Sequence, residues 1–351
     1  FGAELATVQS GQTAHATNGV LLEPITTVDP SHAFVMASVR SSSNEVADSS
    51  ARVRLWGDST VEIRRVTDAG TPPPVVVEWS VIEYGCGIDV QRGVVVGNGT
   101  NQIDVAINAV DVNSSFVLAN ALAESTAADF GPNELFLAEL SAPDTLSIRG
   151  ATSSVFPAGA SFAWQVVTFQ DSADIDVQTT SSTIGAGATS DTLTLATPVD
   201  PETTFLTTFV NTDSAGPDIG ERLVRARLVD AATVVVDRSI GGDPVDVQVQ
   251  AVSLMDGTTV RHGTVDLSTG QSTRAVTINP VDLSRSTAIS TVAVPGLIAG
   301  GMTDHFADDV VGEASATFVV TDPATVTITR DSTASNASFG WQVIEWAGPR
   351  W

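Results

Sequence analysis

Trp341-Gln342-Val343-Ile344-Glu345-Trp346, near the end of a 351-residue chain, is the last of four copies of one pattern. The earlier copies are Trp79-Ser80-Val81-Ile82-Glu83-Tyr84, Trp164-Gln165-Val166-Val167-Thr168-Phe169 and, with the Trp lost, Val249-Gln250-Ala251-Val252-Ser253-Leu254. Three further marks recur in the same order. Val8-Gln9-Ser10-Gly11, Val90-Gln91-Arg92-Gly93, Val177-Gln178 and Val260-Arg261-His262-Gly263 open the copies. Val28-Asp29, Val110-Asp111, Val199-Asp200 and Val281-Asp282 follow, and five residues after each Asp stands Phe34, Phe116, Phe205 or, in the last copy, Thr287. Then come Thr60-Val61-Glu62-Ile63, Thr145-Leu146-Ser147-Ile148, Thr233-Val234-Val235-Val236 and Thr325-Val326-Thr327-Ile328. Ordered marks at intervals of 82 to 92 residues define an internal repeat, and a repeat decides architecture before any single residue does. Four modules are expected, over 1–86, 87–172, 173–255 and 256–351.

Each copy reads as strands separated by Gly, Asn, Asp, Ser and Pro clusters. In the first, strands are expected near Ala6–Val8, Val20–Ile25, Phe34–Val39, Arg52–Trp56, Thr60–Arg64 and Val75–Tyr84. Asp29-Pro30-Ser31 supplies an Asx-type turn, and Gly57-Asp58 joins a hairpin. No segment carries a 3.6-residue period, so the expected fold class is all-β: four tandem antiparallel β-sandwich modules. The last strand of each module has apolar residues on both faces, as in Trp79 and Val81 against Ile82 and Tyr84. A sandwich strand with one wet face should alternate cleanly. The outer face is therefore covered, either by a loop of its own module or by a neighbouring module or subunit.

Composition narrows the setting. All sixteen basic residues are Arg, against forty-one Asp and Glu, for a net charge of −25. Such a chain repels phosphate backbones and anionic lipid, so neither nucleic acid nor membrane insertion is expected. It suits a solvated exterior in salty or calcium-bearing surroundings. Without Lys there is no Lys–Asn isopeptide staple of the kind found in some bacterial pilins. Cys86 stands alone, so there is no intramolecular disulfide. The Thr/Ser-rich strands and tandem modules point to an extracellular or cell-surface location after removal of a signal peptide.

Signals for chemistry are sparse. His15, His32, His262 and His305 show no metal-protease or finger spacing, and there is no Gly-x-Ser-x-Gly elbow or phosphate-cradling Gly loop. No catalytic residue, enzymatic activity or cofactor is expected. Calcium is the candidate ion, with Asp171, Asp174 and Asp176 its candidate ligands; a plain acidic linker is the competing reading. His305 with Asp304, Asp308 and Asp309 is the one His/carboxylate cluster. Arg65, Arg149, Arg238 and Arg330 recur after the Thr-Val strand, where they would pair with carboxylates at a module or subunit boundary or form surface salt bridges. The fourth module carries about ten extra residues, an inserted loop at 294–311 that is apolar and Gly-rich. Such a loop either makes a contact surface or folds back on its own sandwich. Candidate interface residues are Phe1, Trp79, Trp164, Leu297, Ile298, Met302, Trp341, Trp346 and Trp351.

The Trp-x-Val-Ile ending of Trp79-Ser80-Val81-Ile82 and Trp341-Gln342-Val343-Ile344 resembles the last strand of H-type lectin domains, six-stranded sandwiches of phage and animal agglutinins. That resemblance covers about ten residues per module and implies glycan binding in an oligomer. More broadly the chain resembles tandem β-modules of bacterial surface fibres and phage appendages. The resulting expectation is a structural subunit whose four modules lie in line as a rod or tile. It would self-assemble, with itself as partner, into a filament, surface layer or virion appendage. The alternative is a lectin-like adhesin that binds glycan through module loops.

Overall fold

The computed structural model of the protein describes residues 2–43, 46–66, 73–123, 134–213, 218–294, 298–299, 301–306 and 310–348. The first unit has six main strands: β1 (Glu4–His15), β2 (Gly19–Pro24), β3 (Ala33–Arg40), β4 (Arg52–Leu55), β5 (Thr60–Arg65) and β6 (Val75–Cys86). They form two antiparallel sheets, ordered β1-β6-β3 and β2-β5-β4. The second unit repeats this with β7 (Ile88–Val96), β8 (Gln102–Ala106), β9 (Ser115–Leu122), β10 (Leu137–Ala142), β11 (Thr145–Arg149) and β12 (Ser161–Phe169). The third uses β13 (Ile175–Ile184), β14 (Ser190–Thr194), β15 (Thr204–Thr212), β16 (Arg225–Asp230), β17 (Thr233–Asp237) and β18 (Val245–Leu254). In the fourth come β19 (Thr259–Leu267), β20 (Thr273–Thr277), β21 (Ser286–Ser290), β22 (Ala293–Val294), β23 (Ile298–Ala299), β24 (Gly301–Thr303), β25 (Thr317–Asp322), β26 (Thr325–Thr329) and β27 (Ala337–Glu345). There the place of one third strand is shared by β21 and β24, which both pair with β27.

Each repeated mark has a physical task. The Trp of the last strand lies across the Gly of the first: Gly11 pairs with Trp79, Gly93 with Trp164 and Gly263 with Trp341. A Cβ on Gly11, Gly93 or Gly263 would fall 2.4, 2.6 or 2.3 Å from the indole. In the third unit both partners change together, and Thr180 faces Val249. The Gln of the Val-Gln mark clamps the chain between second and third strands: Gln9 holds the backbone of Thr26, Gln91 that of Asn108 and Gln178 that of Thr197. The Asp of the Val-Asp mark accepts the amide two residues on, at Ser31, Asn113, Glu202 and Ser284.

The modules do not lie in line, which corrects the expected rod. They close into a ring. β6 of the first unit lies against β25 of the fourth, as β12 lies against β4 and β27 against β16. The outer faces of the four first sheets turn inward onto one shared core. Phe34, Phe116, Phe205 and Trp346 meet there edge to face, with ring centroids 5.9, 5.5, 6.3 and 5.6 Å apart around the circle. Neighbouring modules, rather than a module's own loop, therefore cover the second apolar face. Where the fourth copy has Thr287 in place of Phe, Trp346 fills the gap and donates its indole N–H to the Thr287 hydroxyl at 3.1 Å. At the far end of the axis, residues of the connections between third and fourth strands (Val46, Ala123, Leu135, Ile219, Val292 and Val311) form a second common cluster. The insertion of the fourth unit crosses this end: β22 lies on β15 and β9, and β23 on β3. It thus reaches the three other modules through β22 and β23, and folds back on its own sandwich through β24, which pairs with β27.

Candidate functional site

The sites with internal structure are the seams between modules. In each sandwich the third and fourth strands are open edges, whose free amides and carbonyls must be paired or covered. The next module does this with side chains. Gln165 accepts from the Val35 amide at 2.9 Å and donates to the Val35 carbonyl at 2.8 Å. Gln342 does the same for Leu206 at 2.6 and 2.9 Å, and Gln250 accepts from the Val117 amide at 2.9 Å. Asn120 holds both backbone groups of Val53 at 2.8 Å, and Thr291 donates to the carbonyl of Ala226 at 2.6 Å. Arg52 and Arg225 reach across to Ser161 and Ser338.

The seam between the fourth and first units is built differently. The position of the stapling Gln is Ser80, whose hydroxyl stays with Ser10 at 2.8 Å. Among the described residues, the buried hydroxyls of Ser38 and Thr317 have no hydrogen-bond partner. An Arg40–Asp331 ion pair and a bond from the Ser41 amide to Ser315 hold this seam instead. Glu78 lies on the outer face of β6 here, bonded to Gln12 at 3.2 Å, and burial pushes its carboxyl up to about 7.

Along the axis, a cavity of about 80 Å³ is lined by third-strand residues of all four modules, among them Met36, Leu118, Thr207 and Ile289. The aromatic end is sealed by polar contacts between modules. The Tyr84 hydroxyl meets Asp256 at 3.2 Å, and the Ala3 amide donates to Asp174 at 2.6 Å. Burial, then Asp256, holds the Tyr84 phenol well above its ordinary range.

The residues singled out from sequence fall in three places. Trp79, Trp164 and Trp341 are buried within the cores of their own modules, and Trp346 is buried on the axis. Met302 is half-buried on β24. Phe1, Leu297, Trp351 and the side chain of Ile298 lie outside the described residues, as do Asp308 and Asp309. Asp171, Asp174 and Asp176 are each engaged within the protein: Asp171 caps the Ala173 amide, Asp174 takes the Ala3 amide of the first unit, and Asp176 takes Gln178. Among the described residues no three His, Cys, Asp or Glu side chains are grouped to hold a metal ion.

The recurring Arg requires a correction. Arg65, Arg238 and Arg330 are buried and mostly donate to backbone carbonyls of their own module. The guanidinium fork satisfies several loop carbonyls at once, which a carboxylate pair at a boundary would not do. Arg330 also meets buried Glu313, at 3.5 Å. Arg149, one place earlier, is partly exposed and pairs with Glu139 at 3.2 Å; Phe156 packs at Gly150 instead. Sequence reasoning missed the stapling Gln, although its place directly after the Trp in two copies was visible.

The four His are scattered. His15 and His262 are held by the carbonyls of Gly19 and Pro201, and burial lowers the pKa of both. No helix among the described residues is long and apolar enough to cross a membrane. No family model and no curated protein matches the chain. Among solved structures, a chain of Sulfolobus turreted icosahedral virus aligns over 71% of this chain and 91% of its own, at 8% identity and a TM-score of 0.16. A chain from the triple jelly roll and turret assembly of an archaeal virus covers 71% and 89%, at 8% identity and a TM-score of 0.14. The major capsid protein of bacteriophage PM2 covers 62% and 98%, at 8% identity and a TM-score of 0.15. Similarity at this level carries no argument about activity.

Proposed function

We propose that the protein is a non-enzymatic structural building block, a single-chain ring that associates with further copies of itself outside the cell or on a virion. One observation carries this reading. The second strand is the remaining free edge of each outer sheet, and its outward residues differ sharply among the four units. On β2 they include Val20 and Leu22, each about half exposed at 50% and 52%. The counterparts are Gln102 and Asp104 on β8, Ser190 and Thr192 on β14, and Thr273 and Ala275 on β20. An exposed edge strand with apolar side chains is a template for another chain. The other three edges carry polar side chains or a single small alanine at these places, so association is directed to the first unit. Four divergent copies in one chain allow a closed ring with one sticky side, which an identical tetramer cannot have.

Sedimentation velocity and negative-stain microscopy across concentration test this. The wild type should form concentration-dependent assemblies, and Leu22→Asp should remain a single ring. A wild type that stays monomeric at every concentration, or an assembly indifferent to Leu22→Asp, would overturn it. Among the described residues, a glycan-binding role would draw on Trp56 and Phe306, rings open to solvent at 51% and 70%.

A further inference from the structure

The four seams also differ at the third position of the Val-Gln mark, which faces the turn of the preceding module. Between units one and two this residue is Arg92. Its half-buried guanidinium donates to the carbonyls of Pro30 in the turn and of Ala33 at the start of β3. The charges of two nearby carboxylates act on it, Asp29 of the turn and Asp89 of its own strand, although burial outweighs them and lowers its pKa to about 10. Between units three and four the residue is His262, whose Nε2 lies 2.8 Å from the carbonyl of Pro201 in the equivalent turn. Both side chains are long enough to cross the seam and supply N–H donors to the same place.

Between units two and three the residue is Thr179, which is too short to cross. A cleft of about 400 Å³ opens there, lined by Asn113 of the turn and by Asp176, Gln178, Thr179 and Thr197 of the third unit. The repeat places Asp111 where Asp29 stands and Asp176 where Asp89 stands; Asp176 lines the cleft and accepts from Gln178 at 3.1 Å, while Asp111 caps the turn at Asn113, and no cation follows either. The remaining seam has lost this arrangement. Ser10 bonds Ser80, Thr7 stands at the strand carboxylate position, and Asp282 of the turn is already paired with Arg285 at 3.3 Å.

We propose that the cleft at Thr179 is a receptor for an external guanidinium group, the group that Arg92 supplies from within the chain one seam earlier. A planar fork of N–H donors matches a carboxylate beside turn carbonyls better than a compact ammonium does. The ligand class is a guanidinium compound or an arginine side chain of a partner polypeptide.

Calorimetric titration of the intact protein with methylguanidinium, at constant ionic strength and up to about 20 mM, tests this, with methylammonium as the control. A single guanidinium in an open cleft should bind in roughly the millimolar range, several-fold more tightly than methylammonium. Thr179→Arg should fill its own cleft, abolish the binding and raise the melting temperature. Asp176→Asn should weaken binding several-fold without filling anything. No binding to the wild type, equal binding of the two cations, or undiminished binding to Asp176→Asn would each overturn the proposal. An arginine-containing peptide that binds more tightly than methylguanidinium would assign the site to a polypeptide partner; equal affinity would assign it to small guanidinium compounds.

Discussion

The seam between units three and four and the seam between units four and one do the same task by different means. In the first, Gln342 and Thr291 satisfy the open strand edges of the preceding sandwich one group at a time, and Arg225 of that sandwich donates back to Ser338. In the second, where the fourth unit meets the first, no such edge staples are present among the described residues. An ion pair, an acid forced toward neutrality and the aromatic circle stand in their place. Side-chain staples fix register, because each amide and carbonyl accepts one placement. Aromatic and apolar packing supplies attraction without such demands. The closing seam is thus held chiefly from the axis, and its rim is the least specified part of the ring.

Removing the axial contribution should destabilise the closing seam most severely. Trp346→Ala deletes the one aromatic shared by the closing seam and the seam before it. It should cost about 3–5 kcal/mol by chemical denaturation. Loss of the same amount in Trp341→Ala, but with the closing seam kept in hydrogen exchange, would separate axial from module-core effects. Gln342→Ala leaves the Leu206 amide and carbonyl buried without partners, and should cost about 2 kcal/mol. Ser80→Ala at the corresponding place should cost under about 1 kcal/mol, since its hydroxyl serves its own module.

Glu78 gives the closing seam a pH dependence of its own. Its carboxyl lies at about 7 against an ordinary 4.5, because burial outweighs the Gln12 bond and the Arg40 charge. The folded protein therefore holds a proton that the unfolded chain has released between those values. This contribution is absent below pH 4.5 and becomes increasingly unfavourable as pH rises toward 7. Glu78→Gln should match the wild type near pH 4 and exceed it by about 1–2 kcal/mol at pH 8, read from paired denaturation curves. Ser80→Gln, which restores the stapling side chain, should have the smallest effect, a gain of about 0.5–1 kcal/mol.

Much of a single module was legible. The expected strands at Phe34–Val39 and Thr60–Arg64 correspond to Ala33–Arg40 and Thr60–Arg65. The first strand was read as Ala6–Val8 and runs from Glu4 to His15. Its polar stretch Gln9-Ser10-Gly11-Gln12 breaks the apolar alternation, and pairing with all of β6 sustains it instead. The Gly11–Trp79 pairing and its joint loss at Thr180 and Val249 were present in the sequence as two separate variations. Thr179 likewise appeared only as a variable residue. It gains meaning beside Arg92 and His262, once all three are seen to face the same turn.

The repeat, the six-stranded sandwich and the local clamps were already written in the order of residues. These depend on alternation, turn chemistry and pairing within one copy, where chain connectivity limits the choices. That order also showed that the last strand of each copy must be covered on both faces. What covers it was decided by the tertiary structure, because that depends on how four already folded bodies meet. Only closure of the ring brings Trp346 beside Thr287 and Phe34, turns the expected rod into a shared core, and leaves β2 as the apolar edge.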